Sequence, residues 1–323
     1  MAGFFKKLFG SRAESVAISQ ITELDNHFIR FSQRGFFGQY TKSPNGRYLI
    51  AWRDSNDEGT HGGARRSGQG RYLLLDNDRI ICEGRMERPN HGKVADNGLF
   101  ILNDWRFFSN HLRGTFYAFN PVGEPIIRQP FKANLFNNGI SHDGRFAVCQ
   151  TCNSGDERDS SVLAVFDLKN GREFARWRPE SGWANAYRFT QDGVHVVLEY
   201  PQKASLAYTL AGEFVDREKW LDNSIARGEA YIIERTLREA GKNPAPEFVD
   251  RLLAGLQVAL SSTRDDDPRG KAYVLRLKGE CLDARQDPVN ALLHFDAALA
   301  LNPKVGSRKR AEQIRKLLTK SAR

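Results

Sequence analysis

Cys149 and Cys152 have the spacing of half a zinc site. No second pair accompanies them, since the other two cysteines of the chain, Cys82 and Cys281, stand alone. The segment around Cys149 is predicted to be a strand, in which alternate residues face opposite sides, so the two thiols are expected to diverge. We therefore expect no metal here. Four cysteines in a chain of this length do not make a disulfide framework. The simplest location for the protein is therefore the reducing cytoplasm.

Other residues with catalytic or metal-binding chemistry show no complete motif. Residues 54–59 begin like a calcium loop, but Arg65 occupies the twelfth position, where a bidentate glutamate is needed. No nucleophile elbow or phosphate-binding glycine loop is present, and the seven histidines are scattered. We expect neither a catalytic residue nor a cofactor. A hydrolase or lyase remains the alternative, and it requires four separate carboxylates to converge: Asp54, Asp104, Asp156 and Glu199.

The elements that must position any site are marked by four copies of one turn. Each copy ends in Asn or Asp followed by Gly, residues that tolerate the left-handed backbone of a tight turn. An apolar run follows each turn, as expected of a strand buried between sheets. The copies begin 52, 46 and 49 residues apart and read Ser43-Pro44-Asn45-Gly46, Ala95-Asp96-Asn97-Gly98, Ser141-His142-Asp143-Gly144 and Thr190-Gln191-Asp192-Gly193.

Repeats of this length and texture resemble the blades of WD-repeat and YVTN-type propellers. The resemblance covers about residues 34–218, and the third copy, with Phe166-Asp167 in place of the usual Trp-Asp, is the closest. It implies an all-β propeller of about four blades within residues 18–218. An ordinary antiparallel sandwich is the alternative. One extra strand, residues 27–31, is predicted to close the ring beside Phe214-Val215, which favours a monomer over a homodimer.

The periodicity changes after residue 218, and residues 219–323 are predicted to form an all-α domain. Helices are expected over Trp220 to Ala240 and over Pro246 to Ser262. A further helix should begin after the acidic cap residues 265–267, with Pro268 at its first position. Residues 272–305 resemble one tetratricopeptide repeat. The positions that carry this resemblance are Gly279, Ala291, Phe295, Ala298 and Pro303.

The net charge of +9 is concentrated at the two ends of the chain. Residues 1–14 carry +2 and residues 304–323 carry +7, so everything between them sums to zero. This distribution argues against a nucleic-acid partner for the propeller and leaves binding through the basic tails as an alternative. Residues 1–17 are predicted to be a flexible or amphipathic segment and not a signal peptide. Its apolar residues are suited to peripheral membrane contact: Phe4, Phe5, Leu8 and Phe9.

Loops at one face of the predicted propeller combine arginine and tryptophan, the residues most enriched at binding hot spots. Both the propeller and the helical repeat resemble protein-binding platforms, so we expect a non-enzymatic scaffold that binds a protein or peptide. The alternative for the two tryptophans is that they pack between blades. The predicted binding residues are Arg53, Arg65, Arg66, Arg88, Trp105, Arg106, Arg178 and Trp183.

Overall fold

The structure is a computed structural model that describes residues 11–12, 21–24, 27–56, 58–59, 62–107, 111–201, 205–241 and 243–321. The apolar N-terminal residues with predicted membrane contact lie outside these ranges. Backbone contacts divide the chain into two units, Met1–Val215 and Asp216–Arg323. The described part of the first unit consists of strands and one short 3-10 helix, Ser32–Arg34, and that of the second consists of helices.

The described strands of the first unit form four antiparallel sheets, and none of these sheets closes into a barrel. The first sheet has the order β1-β7-β6-β5-β4-β3-β2. Its strands are β1 (Ser11–Arg12), β2 (Ile21–Leu24), β3 (Phe28–Phe31), β4 (Phe36–Lys42), β5 (Tyr48–Arg53), β6 (Gly70–Asp76) and β7 (Arg79–Met86).

The other three sheets are simple meanders, in which each strand pairs with the next one in the chain. The second sheet contains β8 (Pro89–Val94), β9 (Phe100–Asp104), β10 (Gly114–Phe119) and β11 (Pro125–Phe131). The third contains β12 (Leu135–Ile140), β13 (Phe146–Thr151), β14 (Leu163–Asp167) and β15 (Arg172–Trp177). The fourth contains β16 (Ala186–Phe189), β17 (His195–Glu199) and β18 (Leu206–Thr209).

Each repeated turn connects two consecutive strands of a sheet, and in all four the glycine amide donates to the carbonyl of the first turn residue. Three of the four turns also share side-chain bonds from a Ser or Thr hydroxyl, which Ala95 lacks in the second. In the third copy, the Ser141 hydroxyl donates to Asp143 at 2.6 Å and accepts from the Phe146 amide at 2.9 Å. The Asp143 carboxylate also accepts from the Arg145 amide at 3.0 Å. All four turn glycines have φ between 67° and 81°, the left-handed region that a side chain disfavours. The predicted turn chemistry is therefore confirmed.

Neighbouring turns are also bonded to one another. The Asn97 side-chain amide donates to the Asp143 carbonyl at 2.8 Å, and the Asn45 backbone amide donates to the Asp96 carboxylate at 2.8 Å. These bonds tie the first sheet to the second and the second to the third. The repeated sequence thus shapes each turn and also aligns consecutive sheets.

The core lies between consecutive sheets, which stack in chain order. All residues of strand β9 are buried because both of its faces are covered. Phe100 and Leu102 pack toward the first sheet, while Ile101 packs toward the third. Alternate residues of a strand face opposite sides, so a sheet covered on both faces needs a continuous apolar run. Stacked rings such as Phe116 and Phe166, with centroids 4.8 Å apart, join the second and third sheets.

The prediction that residues 27–31 close a ring beside Phe214-Val215 is wrong. Strand β3 instead pairs with β4, and Phe31 is opposite Phe36. The connection is a single 3-10 turn that ends at Gly35, with φ of 55°. Such a short loop loses much less chain entropy on closing than a pairing with the far end of the unit, so the local hairpin is favoured. Phe214 does form the expected isolated bridge with Tyr208.

The second unit contains six helices within residues 217–321. They are α1 (Arg217–Ala226), α2 (Ala230–Glu239), α3 (Pro246–Ser262), α4 (Pro268–Ala284), α5 (Pro288–Leu301) and α6 (Arg308–Ser321). None of the described helices has the length and apolar character required to cross a membrane.

The prediction of one helix from Trp220 to Ala240 is wrong, because the chain breaks between α1 and α2 at Gly228. This glycine has φ of 71°, and a Cβ atom there would lie 2.6 Å from the Ala259 backbone nitrogen of α3. The tertiary contact with α3 therefore outweighs the helical periodicity of the segment. The predicted cap of α4 is confirmed, since the Asp267 carboxylate accepts from the Gly270 amide at 2.8 Å.

Helices α4 and α5 form the hairpin that the repeat-like pattern predicts. A Cβ atom on Gly279 would lie 2.6 Å from the ring of Phe295, so only glycine allows this approach. Ala291 and Ala298 are fully buried on α5, as expected of small residues at a helix crossing.

Candidate binding site at the loop face

The structure places the eight predicted binding residues in separate environments. Four of them lie near the junction of the first and second sheets: Arg65 and Arg88 share Asp54, Arg106 pairs with Glu87, and the Arg88 guanidinium lies over Trp105. Arg178 and Trp183 lie in the segment between β15 and β16. Arg53 is buried at the end of β5, while Arg66 is exposed next to Arg65.

Asp54 is the centre of the first group. Its carboxylate accepts from Arg65 Nη1 at 2.8 Å and from Arg88 Nη2 at 3.0 Å. Arg65 also donates to the Glu87 carbonyl at 2.7 Å, which attaches the long loop after β5 to the start of the second sheet. Both guanidinium groups are largely buried and share the one carboxylate of Asp54.

A second acid, Asp104, organises the end of β9. It is buried and accepts from the Arg88 backbone amide at 2.9 Å and from the Arg106 backbone amide at 3.1 Å. Burial raises the pKa of Asp104, although these two amides and the Arg106 charge oppose the rise. Arg106 directs its guanidinium to Glu87 at 2.7 Å. Arg106 is therefore also held by internal acids.

Arg53 has an internal partner as well, because it donates to the Gly35 carbonyl at 3.3 Å and lies over the Phe36 ring. Arg178 is exposed, yet it donates to the Ser160 carbonyl at 2.9 Å and to the Glu157 carbonyl. Five of the six predicted arginines thus hold loops and strand ends in place. This structural role accounts for the many arginines at this face without requiring a binding partner.

The four carboxylates on which the enzyme alternative depends are each engaged by a different cation. Asp54 binds Arg65 and Arg88, and Asp104 binds Arg106 at 3.5 Å. Two further pairs are Asp156 with Lys132 at 3.3 Å and Glu199 with Arg188 at 3.4 Å. Among the described residues, no group of three or more His, Cys, Asp or Glu side chains is placed to hold a metal ion.

A cavity of about 240 Å³ lies between the second and third sheets at the loop face. Trp105 forms one wall, with the Arg88 guanidinium 5.6 Å from its ring centre and His91 edge-on at 5.3 Å. Trp105 Nε1 is buried and has no hydrogen-bond partner among the described residues. We call this space the loop-face cavity; its lining is Arg88, Trp105, Asn134, Leu135 and Cys152.

Two exposed aromatic side chains that contact each other lie outside the lining of this cavity, and we call them the aromatic pair. Trp183 is 43% exposed and Phe136 is 36% exposed, and their ring centroids are 6.3 Å apart. Trp183 is nonetheless fixed, because its Nε1 donates to the Thr151 carbonyl at 2.9 Å. The pair adjoins the cavity through the chain, since Phe136 follows Leu135 and Thr151 precedes Cys152.

Sequence reasoning identified Trp105 and Trp183 but missed Phe136 and Cys152. Phe136 lies in β12, where Leu135 and Asn138 are buried. A large apolar residue facing out of an otherwise half-buried strand is the signal that could have identified it. Cys149 is buried in β13 and Cys152 lies beyond the end of that strand, as the divergent arrangement of the two thiols predicted.

No protein-family model matches this chain, and a search of curated proteins finds no significant relative. Function is therefore inferred from the geometry of the site.

Proposed function

We propose that this chain is a non-enzymatic interaction protein that binds an extended segment of a partner protein at the loop-face cavity. The observation that carries the proposal is the aromatic pair, which is exposed although Trp183 is held by a hydrogen bond, and whose anchoring residues are next in sequence to residues that line the cavity. Large aromatic side chains that are already ordered lose little conformational entropy on binding, and they dominate the energetics of interfaces.

The cavity indicates what the partner segment should contain. Its walls combine the Trp105 ring, the Leu135 side chain and the Arg88 stem, and its volume suits one apolar side chain. The proposed ligand is therefore an extended peptide with an apolar anchor residue, and the aromatic pair covers the adjoining peptide backbone.

The proposal includes the finer architecture. We infer that the four sheets are the blades of a WD-repeat or YVTN-like propeller and that α4 and α5 are one tetratricopeptide-like repeat. The shared turn geometry, the stacking of sheets in chain order and the Gly279–Phe295 contact support this inference. Fold by itself does not determine function, so the argument for binding depends on the loop face.

A monomer remains our prediction for the oligomeric state, although its original reason, closure by residues 27–31, does not hold. Size-exclusion chromatography with light scattering measures it directly. A dimer that persists on dilution would show that the free sheet edges pair between chains.

The test of binding uses Cys152 as an internal reporter, because it lines the cavity and is the one cysteine that is not buried. Peptides are selected on the intact protein from a random library displayed on phage. We expect the selected peptides to slow alkylation of Cys152 and to bind the Trp183→Ala variant at least tenfold more weakly. Phe174→Ala, which removes an exposed ring from β15, should leave the affinity unchanged.

Two results would contradict the proposal. One is a set of peptides that bind Trp183→Ala and Phe136→Ala as tightly as the parent. The other is peptide binding that leaves the alkylation rate of Cys152 unchanged.

A further inference from the structure

A second cavity, of about 230 Å³, lies apart from the loop face and shares no lining residue with the loop-face cavity. Strands β8, β12 and β16, the first strands of the second, third and fourth sheets, contribute to its walls, as does Lys42 at the end of β4. We call it the central cavity. It is smaller than the roughly 300 Å³ at which pockets for drug-sized ligands begin, so it suits a small group.

The central cavity is lined by cationic and neutral polar side chains. Two lysines, three asparagines and one histidine line it, and no described aspartate or glutamate does. These residues are Lys42, Lys93, Asn137, Asn138, His142 and Asn185. The side-chain amides of Asn137 and Asn138 already donate to the Asn185 and His91 carbonyls, so it is the lysines that favour negative charge in this cavity.

The two lysines differ in their partners. Lys42 is bound to Glu23 at 2.6 Å, so its charge is compensated. Lys93 is half-buried on β8 and forms no ion pair or hydrogen bond with any residue of the described part of the chain. Burial accordingly lowers the pKa of the Lys93 ammonium group.

An uncompensated ammonium group at a half-buried position lowers the stability of the folded state. A methionine or leucine would fill the same space on β8 without this cost. A ligand that supplies a negative charge would compensate the Lys93 ammonium group and remove this cost.

We propose that the central cavity binds the carboxylate or phosphate group of a small molecule. Lys93 is the ion-pair partner of the bound oxyanion. The Asn137 and Asn185 segments surround it, and His142 lies at the turn that borders the cavity. Because the two cavities share no residue, this site is independent of peptide binding at the loop face.

The experiment titrates the intact protein with sodium phosphate and, separately, with sodium acetate, and follows both the melting temperature and the heat of binding. Sodium chloride at equal ionic strength corrects for screening. We expect at least one of the two oxyanions to raise the melting temperature above the chloride value in a saturable way. The anion with the larger effect identifies the group as phosphate or carboxylate.

The Lys93→Met variant distinguishes anion binding at this cavity from general effects of charge on stability. We expect this variant to melt higher than the parent without anion, because the unpaired ammonium is gone, and to bind the anion at least tenfold more weakly. Lys169→Met, which removes an exposed lysine elsewhere in the same unit, should keep the anion response. Should Lys93→Met fail to fold, Lys93→Gln provides the same comparison.

The proposal is overturned if neither oxyanion exceeds chloride in the parent protein. It is equally overturned if the Lys93 variant binds the anion with the parent affinity.

Discussion

Asp54 binds Arg88 across the junction of the first two sheets, with the carboxylate oxygens 3.0–3.3 Å from Arg88 Nε and Nη2. The two residues are 34 positions apart in the sequence. Arg65 donates to the same carboxylate at 2.8 Å, so one acid binds two arginines from different loops. Most of the arginines that suggested a docking surface therefore hold loops and strand ends together within the protein.

Asp54→Ala should lower the free energy of unfolding by about 3 kcal/mol, because it leaves two largely buried guanidinium groups without their acid. Urea denaturation of the parent and the variant measures this difference. Asp266→Ala is the matched control, since Asp266 pairs with Arg264 on an exposed surface and should cost less than about 1 kcal/mol. Equal losses in the two variants would show that the Asp54 cluster contributes little.

The fourth turn should make stability depend on pH. The Thr190 hydroxyl and the Val194 amide hold the pKa of Asp192 below its ordinary value of 3.8. A pKa that is lowered in the folded state stabilises the protein at pH values above the ordinary pKa. This contribution disappears as the pH falls through the pKa of the folded state. Part of the loss of stability below pH 3.8 should therefore come from Asp192.

Asp192→Asn tests this assignment, because asparagine already fills the equivalent position of the first two turns at Asn45 and Asn97. The variant should keep the turn and lose less stability than the parent between pH 5 and pH 3. Urea midpoints measured across this range give the comparison. An unchanged slope with pH would mean that other carboxylates cause the acid sensitivity.

Gly279→Ala should destabilise the helical unit by about 1–3 kcal/mol, since the new Cβ atom would overlap the Phe295 ring. Ala291→Trp, at a fully buried position of the same hairpin, should cost at least as much. Phe295→Leu removes the ring, so the Gly279→Ala/Phe295→Leu double variant should lose less stability than the two single variants added together. Strict additivity in thermal or urea unfolding would contradict the direct contact.

Cys152 should be the cysteine that reacts in the folded protein. Burial raises the pKa of all four thiols, to about 12 for Cys82 and Cys281, but Cys152 is the one that is only partly buried and so accessible to reagent. Mass spectrometry after brief treatment with N-ethylmaleimide should show one adduct on the native protein and four in urea. Cys152→Ser should show none under the native condition, and rapid labelling of that variant would contradict the burial of the other three thiols.

Features that depend on neighbouring residues could be predicted from the sequence. The four turns follow from Asn, Asp and Gly at fixed positions, and the start of α4 follows from Asp267 and Pro268, because a few adjacent residues contain all the partners. The close approach of α4 and α5 at Gly279 also follows from local spacing on two consecutive helices. Trp105 and Trp183 could be named for the same reason, since residue type and loop position are local properties.

Features that depend on distant partners were decided by the tertiary structure alone. The pairing of β3 with β4, the break at Gly228, the neutralisation of Arg88 by Asp54 and the isolation of Lys93 each depend on which residues from other elements arrive nearby. The sequence by itself determined the two kinds of secondary structure and the chemistry of the turns, because short-range sterics and hydrogen bonds specify them. Only the packed fold decided which charges are compensated, because the free energy of a charge depends on the partners and burial that folding supplies.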